Sequence, residues 1–149
     1  MNERPSNISG DHYPIVIEAD PEHVVVRVAG YVVAHSRRAL KLLEAFYDPV
    51  LYIPAEDVDF TLLELSQDRG FSHVKGETIH YNIAIGGAKS VNAAWEYEDP
   101  HLAVLPLKDH VAFHPDRVDS ITYYRGKGNS VDVLSGEAVM VLVAGADAN

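Results

Sequence analysis

Residues 71–87, FSHVKGETIHYNIAIGG, bring two histidines, a lysine followed by glycine and an alternating apolar run into one short stretch. Metal ligation, catalysis and a plain turn feeding a strand all draw on such residues. His73 and His80 are seven apart, which on a continuous strand puts them on opposite faces; only a turn at Lys75-Gly76 could bring both to one ion. His110 and His114 share a strand face, but no third ligand is announced beside them, and the helical zinc motif with its glutamate is missing. The eight histidines are read as surface and hydrogen-bonding groups, with no metal and no cofactor expected.

Two other sets of residues have chemical meaning. Asp57 and Asp59 in EDVDF have the aspartate-x-aspartate spacing that puts two carboxylates on one strand face, where they could hold magnesium for phosphoryl or nucleotidyl transfer. The plainer reading makes Asp59 the entry to a helix, where its charge suits the dipole. In NAAWEYEDP, Trp95 is the only tryptophan; with Tyr97, Tyr81 and Phe113 it could form an aromatic wall, Asn92 and Lys75 supplying donors and Glu44 an acceptor. A core in which Trp95 simply fills space is the alternative. GGAKS and RGKGNS both fall short of a phosphate-binding loop, and no Ser-His-Asp order or nucleophile elbow occurs.

The elements that must position these residues are mostly strands. PIVIEA and HVVVRVAGYVVAH cluster β-branched residues, with Gly30 marking a bend, and SRRALKLLEAF, although helical in part of its spacing, is assigned to strand. Thr61 and Glu64 at capping-box spacing before Leu65 predict a short helix within DVDFTLLELSQ. After a turn at Lys75-Gly76, Ile79, Tyr81, Ile83 and Ile85 alternate with polar or small residues, and Gly86-Gly87 predicts a tight hairpin into KSVNAAWEYE. HLAVLPLKD is an irregular or short helical connection; HVAFH, SITYYR, VDVL and AVMVLVAG are further strand candidates, with PDRVD a turn. The expectation is one mainly β domain of antiparallel sheets with one or two short helices.

At 149 residues the chain suits a single core that buries roughly two thirds of its unfolded surface. The absence of cysteine excludes disulfide scaffolds, thiolate metal sites and cysteine nucleophiles in this chain. Lysine and arginine number 12 against 22 acidic residues, a formal net charge of −10, which repels nucleic-acid polymers. No apolar run is long enough for a signal sequence or a bilayer span, so a soluble, cytoplasmic protein with no membrane partner is expected.

The blocks GYVVAHSRRALKLLE, VLYIPAEDVD, VKGETIHYNI, VNAAWEYEDP and HVAFHPDRVD, in this order, resemble the domain-of-unknown-function family 427, sometimes labelled nucleotidyltransferase-like. The resemblance implies a small β domain with a β-tent-like architecture over residues 14–119; the residues themselves read as a flexible N-terminus at 1–13 and a C-terminal β extension of the same domain at 120–149, outside the match. It also implies that Ser36, Arg38, Glu44, Tyr52, Pro54, Asp57, Asp59, Lys75, Gly76, Asn92, Trp95, Tyr97, Asp99 and Pro100 are typical family positions. The chain departs from the family at Ser72-His73, where a Cys-Pro pair is usual, so thiol chemistry at that place is ruled out here.

Three functions compete on these grounds. The first is a small ring-bearing ligand held in a cleft near Trp95 and Lys75, with Glu44, Tyr81, Asn92 and Tyr97 in the site. The second is a metal-dependent nucleotidyl or phosphoryl transferase using Asp57 and Asp59, with Lys75 on the phosphate. The third is a protein-interaction scaffold or homo-oligomer, docking through the strand at AVMVLVAG.

Overall fold

Side chains that alternate along the strands need cover on at least one face, and here the chain supplies it by folding two antiparallel sheets against each other. The computed structural model describes residues 14–124 and 138–142; the N-terminus at 1–13 and the strand candidate at 131–134 lie outside the described residues. In the larger sheet β1 (Ile15–Asp20), β4 (Ala39–Glu44), β5 (Val50–Pro54), β9 (His110–Phe113), β8 (Ala94–Tyr97), β7 (Gly76–Ile83) and β6 (Leu63–Ser72) lie side by side in that order. The smaller sheet runs β11 (Ala138–Leu142), β10 (Ser120–Tyr124), β2 (His23–Val28) and β3 (Tyr31–Ser36). The mainly β fold read from the sequence is the fold that forms, and SRRALKLLEAF supplies β4.

The larger sheet is covered on both faces, and strand parity decides which residue goes where. On the inner face Ile53, Ile79, Ile83, Val111 and Phe113 pack against Val24, Val26 and Val28 of β2 and Ile121 of β10. On the outer face Leu42, Tyr52, Tyr97 and Ala112 form a second core with Val104 and Leu107. These last two come from the 3-10 segment Leu102–Leu107, which lies across the sheet as a cover. Tyr52 and Ile53, adjacent on β5, therefore belong to opposite cores.

Two local expectations are corrected. The helix predicted within DVDFTLLELSQ is only a 3-10 turn, Phe60–Leu62, and Leu63 onward is β6. Asp59 accepts the amide of Thr61 at 3.1 Å and caps this turn, while β6 gains its backbone partners from β7, from Leu63 opposite Ile83 to Ser72 opposite Gly76. Tertiary pairing thus overrides the capping-box spacing. Gly86-Gly87 is not a two-residue hairpin: β7 and β8 do pair antiparallel, but the 3-10 connection Ala84–Ser90 joins them. The turn read at Lys75-Gly76 does join β6 to β7, with Gly76 at a φ of 114°.

Candidate functional site

Strand β8 offers Trp95 to the outer face of the larger sheet, opposite the small side chain of Ala112 on β9. Just beyond β9 the chain turns, its direction held by the His114 amide donating to Ala93 O at 2.8 Å. This lays the His114 ring over the indole, with centroids 4.3 Å apart and planes at 37°. The indole Nε1 donates to the Tyr52 hydroxyl at 3.3 Å, which fixes the ring's other end. Beside this pair lies a cavity of about 330 Å³ that draws on both faces of the larger sheet and on the smaller sheet, walled by apolar residues of β2, β5 and β10 and by Trp95, Phe113, His114 and Tyr123. Trp95 is half-buried, so one part of its ring is core and another is cavity wall.

The mouth is formed by the β4–β5 turn, which adds Tyr47, Asp48 and Pro49 to the lining. Tyr47 N donates to Glu44 O at 3.1 Å, and Phe46 takes a φ of 73°, a left-handed conformation that β-turns ordinarily give to glycine. A bulky residue there is strained, and the turn holds it in place to carry Tyr47 and Asp48 over the opening.

Of the six residues read from the sequence as ligand-binding, four share the outer face. Lys75 Nζ lies 3.0 Å from both carboxylate oxygens of Glu44, and the two side chains keep only 15% and 9% of their exposure. Glu44 acts on Tyr52 and Tyr97, whose hydroxyls interact with each other, and Tyr52 in turn holds Trp95. Burial, with Glu44 adding to it, pushes the Tyr97 phenol up to about 12 and lifts Tyr52 well above its ordinary value. Lys75, Glu44, Tyr97 and Trp95 are thus linked, but the first three do not line the cavity.

Tyr81 and Asn92 are placed elsewhere. Tyr81 pairs with Ala94 and so faces the side opposite Trp95; its hydroxyl donates to Glu96 at 2.8 Å and its ring packs on Phe60. Burial holds the Glu96 carboxyl above its usual range. Asn92 adopts a left-handed φ of 55° and donates to Asp68 at 2.5 Å, bracing β6 against the connection before β8. The aromatic wall of the cavity therefore lacks Tyr81 and Tyr97, keeps Trp95 and Phe113, and gains Tyr47, His114 and Tyr123.

Asp57 and Asp59 are not on one strand. Asp57 ends the 3-10 turn Ala55–Asp57 and accepts from Ser36 Oγ at 2.6 Å and from Arg38 at 3.3 Å, while Asp59 serves Thr61. Arg38 also pairs with Glu56. Among the described residues no three His, Asp or Glu side chains are grouped as a metal ion would require. Ser72 accepts from the amides of Val74 at 3.2 Å and Lys75 at 3.1 Å, so its hydroxyl shapes the turn that presents the lysine.

Residues 16–123 match the model of the family described as Domain of unknown function (DUF427). The chain belongs to this family. A search of curated proteins found no match. Among the described residues no helix is long and apolar enough to cross a membrane. Within this DUF427 domain eight of the fourteen positions read as typical of the family fall into two linked clusters: Ser36, Arg38 and Asp57, and Glu44, Lys75, Tyr52, Tyr97 and Trp95 along the outer face. Tyr47, Asp48 and Tyr123 were not singled out by sequence reasoning, and His114 was weighed only with His110 as a metal-ligand pair. The one available signal was His114 itself, on the strand face of Ala112, which the β8–β9 register sets beside Trp95.

Three histidines give the domain a defined pH response. Burial lowers the pKa of His114, with Arg117 and His80 adding to the effect and Asp116 opposing it; burial likewise lowers His80 and His23. The unfolded chain then takes up protons near 6.5 while the folded chain resists until lower pH. Their neutral forms contribute stability fully present above pH 6.5 and lost as the pH falls through the folded-state values. The melting temperature should decline below that point, and His114→Asn should flatten the decline; an unchanged slope in the variant would remove His114 from this account.

Proposed function

We propose that this domain binds a small ring-bearing ligand in the cavity beside Trp95, with the ring against Trp95 and His114. The observation that carries the reading is the half-buried Trp95, stacked on His114 at 4.3 Å and forming part of the wall of a cavity of about 330 Å³. A volume near the lower end of the ~300–1,000 Å³ usual for ligand pockets suits one or two rings. The wall is apolar over most of its extent and carries a few polar groups at defined places, the arrangement that orients a small molecule. Lys75 and Glu44 support the site from behind, through Tyr52 and Tyr97, by fixing the indole.

Because Trp95 is the single tryptophan, its emission reports on this cavity without labelling. Titration with compact aromatic compounds should shift that emission and raise the melting temperature together, since a ligand that favours the folded state must stabilise it. The ligand-induced melting shift should shrink markedly in Trp95→Phe. Compounds that raise the melting temperature equally in the wild type and the variant, with no change in Trp95 emission, would put the binding site elsewhere.

A further inference from the structure

The polar groups of the cavity are of one kind. Among the described residues its lining contains no lysine and no arginine; Asp48 is its only carboxylate, at the mouth, beside the Tyr47 ring. Deeper in, Tyr123 feels Asp20 and Glu22. Of the cations nearby, Lys41 lies 3.7 Å from Asp20, and Arg117, whose charge acts on His114, donates to Val91 O at 2.8 Å. His114, the remaining titratable group of the wall, has Trp95 against its ring. A phosphate or carboxylate entering here would lose its hydration and find no lysine or arginine in the wall to pair with. A protonated amine would find a carboxylate and the faces of two electron-rich rings, and the chain's net charge of −10 would draw it in.

Building on the cavity reading above, we propose that the natural ligand is a ring-bearing amine, its ring against Trp95 and His114 and its ammonium group at the mouth between Asp48, Tyr47 and Trp95. Asp48 is the positioning charge and the two rings supply cation–π contact. The same chemistry disfavours nucleotides in this cavity, because their phosphates would meet Asp48 at the entrance. The strained turn at Phe46 has a role in this scheme, since it delivers Asp48 and Tyr47 together.

Three near-isosteric probes separate the ideas: 2-phenylethylammonium, 2-phenylethanol and phenylacetate, titrated against Trp95 emission at about pH 8, where the amine is still charged and His114 is neutral. The ammonium should bind roughly tenfold more tightly than the alcohol, from an exposed ion pair together with cation–π contact, and phenylacetate more weakly than either. In Asp48→Asn the affinities of ammonium and alcohol should converge, and Tyr47→Leu should narrow the same gap. If the alcohol binds as well as the ammonium, or the carboxylate binds best, the amine assignment is wrong while the cavity reading stands. If none of the three perturbs Trp95 or the melting temperature, the cavity reading falls and the amine assignment with it.

Discussion

Lys75→Met should destabilise the domain by about 3 kcal/mol, as expected when one partner of a buried ion pair is removed and the other charge is left uncompensated. A lysine in a surface turn would ordinarily be replaceable within about half a kcal/mol. Lys75 is not such a residue, because its ammonium reaches Glu44 at 3.0 Å where the two side chains retain 15% and 9% of their exposure. The contact spans the sheet: Lys75 belongs to the β6–β7 turn and Glu44 ends β4, with β5, β9 and β8 lying between β4 and β7 in the strand order. The turn is further fixed by His101 N donating to Lys75 O at 3.0 Å, so the lysine also anchors the start of the segment that covers the outer core.

The double replacement Glu44→Leu with Lys75→Met separates these contributions. Removing both charges eliminates the stranded carboxylate, and hydrophobic replacements of buried pairs are often close to neutral. Urea unfolding of the two single variants and the double variant should therefore show the double as more stable than Lys75→Met alone. Additive losses would mean that the two side chains act independently. Since Tyr52 and Tyr97 lie between this pair and Trp95, the emission of Trp95 in Lys75→Met should also change, which a remote destabilisation would not produce in the folded state.

Much of this arrangement was legible in the residues, and the failures have physical causes. The strands were readable because their apolar positions alternate; Lys75, Glu44, Trp95 and Tyr97, read together as ligand-binding, do lie along one face, but only Trp95 lines the cavity. Tyr81 was misplaced on grounds of parity. A two-residue turn at Gly86-Gly87 would have set Tyr81 opposite Asn92, and the longer connection sets it opposite Ala94; both leave Trp95 on the other face. The helix at 61–65 failed because a capping box is local, whereas β6 is held by β7. The cavity was invisible for a different reason. Its lining comes from β2, the turn at 47–49, β5, Trp95, the residues after β9 and β10, which no sequence window contains and only the packing of the two sheets brings together.

The second large effect is expected at Gly86, where alanine should cost about 3 kcal/mol, the upper part of the range for overpacking a filled interior. A Cβ at this position would lie 2.0 Å from Ser90 Oγ, 2.6 Å from Ser90 Cβ and 2.9 Å from Val28 Cγ1. Neither neighbour has room to yield. Ser90 is buried and donates to Arg117 O at 2.7 Å, and Val28 belongs to the inter-sheet core. Moving Ser90 would break a buried hydrogen bond as well, which adds to the steric cost. Gly87, its neighbour, is constrained differently: its φ is 66°, but a Cβ there would meet nothing within 4 Å. Gly87→Ala should therefore cost about 2 kcal/mol of backbone strain alone, because φ 66° with ψ −149° is a region essentially reserved for glycine, and Gly87→Asn should cost as much. Denaturant unfolding of the three variants distinguishes a close approach between sheets from an ordinary turn glycine. A Gly87→Ala variant that loses as much stability as Gly86→Ala would show that backbone conformation, and not contact with Ser90 and Val28, is what this pair of glycines provides.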